Sequence, residues 1–133
     1  MPRKPLTVQK LIKKLQPIFN RYIRLRDLNE PCISCGRKVD WDETDAGHFW
    51  AKSGYNGLRF DEDNTHKECR RCNRFDESHL ITYAENLEKK IGKERYIALK
   101  LKAQDYKRLG KKWTRQELRD LIDYYQEKLK EFE

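Results

Sequence analysis

A chain of 133 residues is the length of one domain, and folding at that size removes roughly two thirds of the unfolded chain's surface from water. Charged residues make up 39% and hydrophobic residues only 37%, against about 25% charged in an ordinary domain, so apolar burial alone is a thin basis for the fold. With 30 Lys and Arg against 22 Asp and Glu, the net charge is +8; no long apolar run, lipidation motif or signal peptide is present, so the expected partner is nucleic acid and not a membrane. Solvated lysine-rich helix faces are the plainer reading of the same charge.

From Thr7 to about Leu28, Val8, Leu11, Ile12, Leu15, Phe19, Tyr22 and Ile23 recur at three and four, the stripe of an amphipathic helix. Pro17 lacks a backbone donor and crowds the preceding turn, which predicts a kink or two consecutive helices. Lys10, Lys13, Lys14, Arg21 and Arg24 fall largely off the stripe, either solvated or facing DNA. "NEPC" then stops the helix.

Between "CISC" and "CRRC" the helical period disappears, and "GRKVDW" and "GLRF" are the expected strands. The two C-x-x-C pairs, Cys32 with Cys35 and Cys69 with Cys72, have the spacing of four thiolates around one structural zinc; a disulfide framework would need an oxidising compartment. Past Cys72, Leu80, Tyr83, Leu87 and Ile91 predict a short helix ended near Gly92, and Tyr96 to Leu109 another ended by Gly110. Thr114 and Glu117 form a capping-box signature ahead of a last helix carrying Leu118, Leu121, Ile122, Tyr125, Leu129 and Phe132.

The zinc pairs would close the intervening segment into a loop holding His48 in "DAGHFW", with Asn73 directly after the last cysteine. A zinc pair, a D-x-x-H, an asparagine five residues before the second pair (Asn64) and one just after it resemble the His-Me finger nucleases, also called HNH or ββα-metal nucleases. More closely, "RYIRLRDLNEPCISCGR", "DAGHFWAKSGYNGLRFDEDNTHKECRRCN" and "WTRQELRDLIDYYQEKLK" are similar to the NinG (Rap) family of phage recombination endonucleases, over about Phe19 to Lys130 and most weakly between Tyr83 and Gly110.

The resemblance implies an α+β fold, mostly helical with a small zinc-stapled ββα-metal core, in a single domain over 1–133. An N-terminal helical segment would cover 7–28, the nuclease core 31–80 and C-terminal helices 81–133. It implies a metal-dependent endodeoxyribonuclease that resolves four-way junctions or other branched DNA, as a homodimer in the cytoplasm of a bacterial host. His48 is then the general base, since neutral imidazole is available near neutral pH. Asp45 and Asn73 hold a catalytic Mg²⁺, with Mn²⁺ as a substitute; without the resemblance they read as an Asx-turn and a helix cap.

Asn64 is expected to fix the hairpin by bonding loop backbone. His66 has three readings: a phosphate contact, a partner of the metal site, or packing beside the zinc knuckle. His79 is expected to be exposed and inert, the alternative being an approach to the metal like that of the late His or Asn of many HNH nucleases. Arg70, Arg71, Arg74 and Lys67 are the expected DNA-backbone contacts; Lys107, Arg108, Lys111 and Lys112 form a second basic cluster that is solvated or DNA-facing. Two rival readings remain, a structure-independent HNH nicking nuclease and a non-catalytic zinc-ribbon module that only binds DNA.

Overall fold

In a computed structural model that describes residues 4–76 and 78–133, five helices surround one two-stranded antiparallel sheet. The first helix, α1 (Val8–Arg26), starts where the Thr7 side chain accepts the Lys10 N–H, and buries Leu11, Leu15, Phe19 and Ile23. Pro17 lies inside it, and α1 runs as one element, not two. The proline removes the bond to the carbonyl four residues back, a local loss that the buried stripe on both sides of it outweighs.

The stripe of α1 packs against α5 (Arg115–Lys130), whose N-terminus carries the full reciprocal capping box of Thr114 and Glu117. Leu118, Ile122 and Tyr125 meet Phe19 and Ile23, with the Phe19 ring edge-on to Tyr125 and Phe60 at centroid distances of 5.1 and 5.8 Å. A second core forms where α3 (His79–Ile91) folds back on α4 (Lys93–Leu109), each ended by a glycine at positive φ, Gly92 and Gly110. Tyr83, Leu87, Ile91, Leu99 and Ala103 close around Leu58 and Ile33.

The strands are β1 (Thr44–His48) and β2 (Thr65–Cys69), paired so that Thr44 faces Cys69 and His48 faces Thr65. The short helix α2 (Arg70–Phe75) follows β2 directly. Neither expected strand forms. "GRKVDW" is coil leading into a 3-10 turn at Trp41–Glu43, and "GLRF" leaves a 3-10 turn at Asn56–Leu58. "GLRF" instead crosses between cores, with Leu58 in the α3–α4 cluster and Phe60 in the α1–α5 cluster. A side chain at Gly57 would overlap the Tyr106 ring, so the crossing runs hard against α4.

All five residues of β2 are buried although the strand reads Thr-His-Lys-Glu-Cys. Each finds a partner, as buried polar groups must. The Thr65 hydroxyl donates to the Asp61 carbonyl, and Lys67 Nζ donates to the carbonyls of Leu28 and Glu30 just beyond α1. Lys67 is therefore inside, and the expected DNA contact from it is corrected: its ammonium is spent on the backbone that leaves α1. His66 is 2% exposed, with Nε2 on the Asp63 carbonyl at 2.9 Å and Nδ1 3.2 Å from Arg26 Nη2. Both ring nitrogens are engaged away from solvent, so of the three readings of His66 the phosphate contact and the metal-site partner are corrected, and a role in packing and hydrogen bonding remains.

Beside it Asp27, 2% exposed, takes two bonds from Arg26, one from the Lys67 backbone N–H and an ion pair from Lys90 on α3. Burial alone would raise the Asp27 pKa; the Arg26 and Lys90 cations outweigh it and hold the carboxyl far below the usual range. Among the described residues, no helix is long and apolar enough to cross a membrane.

Burial first, then the charges of Lys90 and Arg26, push the His66 pKa down to about 3. Its folded value lies below the unfolded one, so the stability contributed by the neutral ring is fully present above about pH 6.5 and is lost as pH falls toward 3. In urea unfolding between pH 7 and 4, the wild type is expected to lose stability more steeply than His66→Gln, which has no ring to protonate. Equal slopes would show that His66 is not held neutral.

Candidate active site and metal centre

The two C-x-x-C turns meet beneath the sheet. The Sγ atoms of Cys32, Cys35, Cys69 and Cys72 all lie within 4.8 Å of one another, and none is in a disulfide. Four sulfurs each about 2.3 Å from a tetrahedral ion sit roughly 3.8 Å apart, and Cys35 Sγ to Cys69 Sγ is 3.9 Å, so the set can hold a metal such as zinc. Backbone N–H groups already point at sulfur: Cys35 and Cys69 donate to Cys32 Sγ at 3.5 and 3.3 Å, and Cys72 to Cys69 Sγ at 3.5 Å. Burial raises the Cys72 thiol. On Cys35 burial acts in the same direction, but hydrogen bonds from Arg37 and the neighbouring cysteines bring it down to about 6.

The sulfur cluster fixes the end of β2 and the start of α2, and so fixes Asn73. On the paired strand, Asp45 faces Glu68 across the ladder. Asn73 Nδ2 donates to Asp45 Oδ2 at 3.0 Å, so the residues flanking the two ends of the hairpin are in contact. Arg74 grips both Asp45 oxygens at 2.9 Å, and Arg70 Nε lies 3.7 Å away. The Asn73 amide thus meets the carboxylate through nitrogen and keeps its oxygen, Oδ1, for another partner; a flip of the amide exchanges the two.

His48, at the end of β1, is half-buried, and its Nε2 lies 2.9 Å from the Arg59 carbonyl. A carbonyl only accepts, so Nε2 carries the proton and Nδ1 is the lone-pair nitrogen. Burial pushes its pKa down to about 4, and the ring is neutral at pH 7. The Arg59 carbonyl is itself positioned. Asn64, fully buried, accepts the Trp50 N–H through Oδ1 and donates through Nδ2 to the carbonyls of Trp50 and Leu58, lacing the segment after His48 to the residue before Arg59.

Two clefts share a wall at Ala46, Lys52 and Asn73. One, of about 530 Å³, runs past Asp45 between Arg21 and Arg24 of α1 and Arg70 and Arg74 of α2. The other, of about 280 Å³, contains His48, Phe49 and His79. The structure therefore gathers Asp45, His48, Asn73, Arg70 and Arg74 around one surface, with Asn64 behind it and His66 and Lys67 excluded. Arg71 is exposed but does not line either cleft. In the second basic cluster, Lys111 pairs with Glu117 at 2.7 Å and Arg108 lies 3.8 Å from Asp105, so part of its charge is matched internally.

Sequence reasoning missed two residues and undervalued a third, His79. Lys52 lines both clefts without any motif to announce it. The other two are a pair: His79 is not exposed and inert, because its Nδ1 lies 2.6 Å from Glu68 Oε2, and Glu68 is 0% exposed. Nothing in "KEC" or "ESHL" signals that these residues meet, since Glu68 reads as a solvent residue until its strand is known to be buried.

The pair explains one letter of "DAGH". A side chain at Gly47 would overlap Glu68 Oε1 and its Cβ. Gly47→Ala is expected to displace Glu68 and cost about 1–3 kcal/mol, the usual penalty for overpacking a filled site, read as a lower urea midpoint at unchanged slope. An unchanged midpoint would show that Glu68 can move freely.

The family model described as Bacteriophage Lambda NinG protein matches residues 3–133. Relatives called Protein ninG from Salmonella phage P22, Escherichia phage 933W and Escherichia phage lambda are 38%, 37% and 35% identical over 122 residues. These alignments cover 90% of this chain and 56%, 57% and 56% of the respective relatives, so the chain spans little more than half their length. No solved structure matches it significantly. With the family model spanning nearly its whole length, the chain belongs to the NinG family of phage proteins.

Proposed function

We propose that this chain is a metal-dependent DNA endonuclease of the His-Me finger type, acting on four-way junctions or related branched DNA in phage recombination. The observation that carries the reading is the shared wall of the two clefts. One cleft contains His48, whose Nε2 is held by the Arg59 carbonyl, the other contains Asp45 under an arginine rim, and Asn73 lines both, which supports the reading. The antiparallel pair followed by α2 supplies the ββα layout.

In this mechanism His48 Nδ1 takes the proton of the attacking water, while the Arg59 carbonyl holds Nε2–H and thereby the ring's orientation. Asn64 keeps that carbonyl in place and is a positioning residue. The Asp45 carboxylate and the Asn73 amide oxygen, on side chains joined through the amide nitrogen, are hard oxygen donors, a set that fits Mg²⁺ or Mn²⁺ with waters retained. Such an ion, when bound, supplies charge neutralisation at the leaving 3′ oxygen. Arg70 and Arg74 contact the DNA backbone and position it without reading sequence. The four cysteines hold zinc, which is structural because four thiolates leave no open position. Two paired cuts call for two sites, and a homodimer supplies them.

His48→Ala is expected to keep its zinc and its affinity for DNA while losing Mg²⁺-dependent nicking of a synthetic four-way junction by about a hundredfold or more. Wild-type cleavage of junction and linear duplex at equal rates would leave a structure-independent nicking nuclease. No cleavage of either with Mg²⁺ or Mn²⁺ would leave a zinc module that only binds DNA. Zinc removal by a thiol-competing chelator is expected to abolish both binding and cleavage, because α2 loses its anchor; retained activity in metal-free protein would remove the sulfur cluster from the account.

A further inference from the structure

Glu68 is a sealed carboxyl group in the middle of a strand. Its Oε2 receives the Ser34 hydroxyl and lies 2.6 Å from His79 Nδ1, while Oε1 has no hydrogen-bond partner among the described residues. A carboxylate removed from water to this degree is costly unless a counter-charge or a shared proton compensates it. The His79 ring provides either. If the proton sits on the ring, the pair is imidazolium and carboxylate; if it sits on the carboxyl, a neutral acid donates to Nδ1. In the ion pair Nε2 carries its own N–H; a neutral ring with its proton on Nδ1 leaves Nε2 bare, and a phosphate oxygen in the cleft selects the form that donates.

That second nitrogen has no partner among the described residues and is not among the atoms sealed from solvent. The ring is 15% exposed and borders the cleft that also contains His48 and Asn73. It is braced from behind by Tyr83, whose ring is edge-on at 6.5 Å and whose hydroxyl donates to the Gly47 carbonyl at 2.7 Å. A buried acid, a glycine cleared to admit it and a tyrosine that ties the strand to α3 thus combine to hold an imidazole at the cleft with one ring nitrogen unpartnered among the described residues.

We propose that His79 Nε2–H is a direct donor to a nonbridging oxygen of the phosphodiester bound in this cleft, oriented by Glu68. The proposal deepens the nuclease reading and rests on it for the identity of the ligand. His79 acts there from the cleft next to the one the arginines line, as a fixed donor for the charge that builds on the phosphoryl oxygens at attack. No proton is transferred in this role. His48 remains the base.

The experiment uses the full zinc-loaded chain labelled with ¹⁵N, without Mg²⁺, titrated with a short DNA duplex while the imidazole nitrogens are followed by long-range proton–nitrogen correlation. The His79 Nε2 resonance is expected to move with DNA while Nδ1 keeps its hydrogen-bonded position. In parallel, His79→Ala is expected to slow junction nicking about a hundredfold at unchanged zinc content. If His79→Ala melts early, His79→Gln, which can still bond Glu68, takes its place and is expected to be slowed in the same direction. A His79 Nε2 signal unmoved at saturating DNA, or a folded His79 variant that nicks at the wild-type rate, overturns the proposal. If the wild type cuts no DNA, the nuclease reading falls, and the nitrogen titration alone decides whether His79 meets phosphate.

Discussion

A strand of Thr, His, Lys, Glu and Cys, buried along its whole length, is the constraint around which this molecule is arranged. None of its first four side chains gains from leaving water, so each must find a partner in a different element. Lys67 binds the carbonyls beyond α1, His66 meets Arg26, Glu68 holds Ser34 and His79, and Cys69 joins the sulfur cluster. Such a network stabilises weakly as a sum but penalises any wrong register heavily, because one slipped residue would leave several polar groups buried and unpaired. The Asp27 carboxylate extends the same logic to α3 through Lys90.

Two anchors carry that order to the cleft by separate routes. Asn64 laces the loop after β1 to itself and sets the carbonyl that holds the His48 ring. The cysteine cluster sets the first turn of α2 and with it Asn73 and Arg74. One anchor is a network of neutral hydrogen bonds and the other is a sulfur node suited to a metal, so chelation acts directly on the second and not on the first.

The helices were legible in the sequence because their burial is apolar and periodic. Leu11, Leu15, Phe19 and Ile23 face inward as their spacing predicts, and the stops at Gly92 and Gly110 fall where glycine puts them. The strands were not legible, because a sequence reader looks for alternating apolar residues, and β2 has none. "GLRF" carries that alternation but uses it to join two cores. The same blindness extends to function. Cys32, Cys35, Cys69, Cys72, Asp45, His48 and Asn73 could be read as a constellation because they sit at motif spacings and do come together. Lys67 was placed outside because charge near a cysteine knuckle suggests a surface, His66 was left among three readings, and His79 was set aside because its acid partner is visible only once Glu68 is known to be buried.

Arg74 covers both oxygens of Asp45, so the carboxylate is nowhere an open acidic hole. A cation that reaches Asp45 enters by exchange: a divalent charge arrives, a monovalent one is released, and the net change at that wall is one unit instead of two. The released guanidinium stays tethered to α2 at the rim, where a polyanion would pair with it. On the proposed function, cation and polyanion would in this way be reciprocal ligands, each easing the other's entry through a side chain that can satisfy the acid or the phosphate but not both.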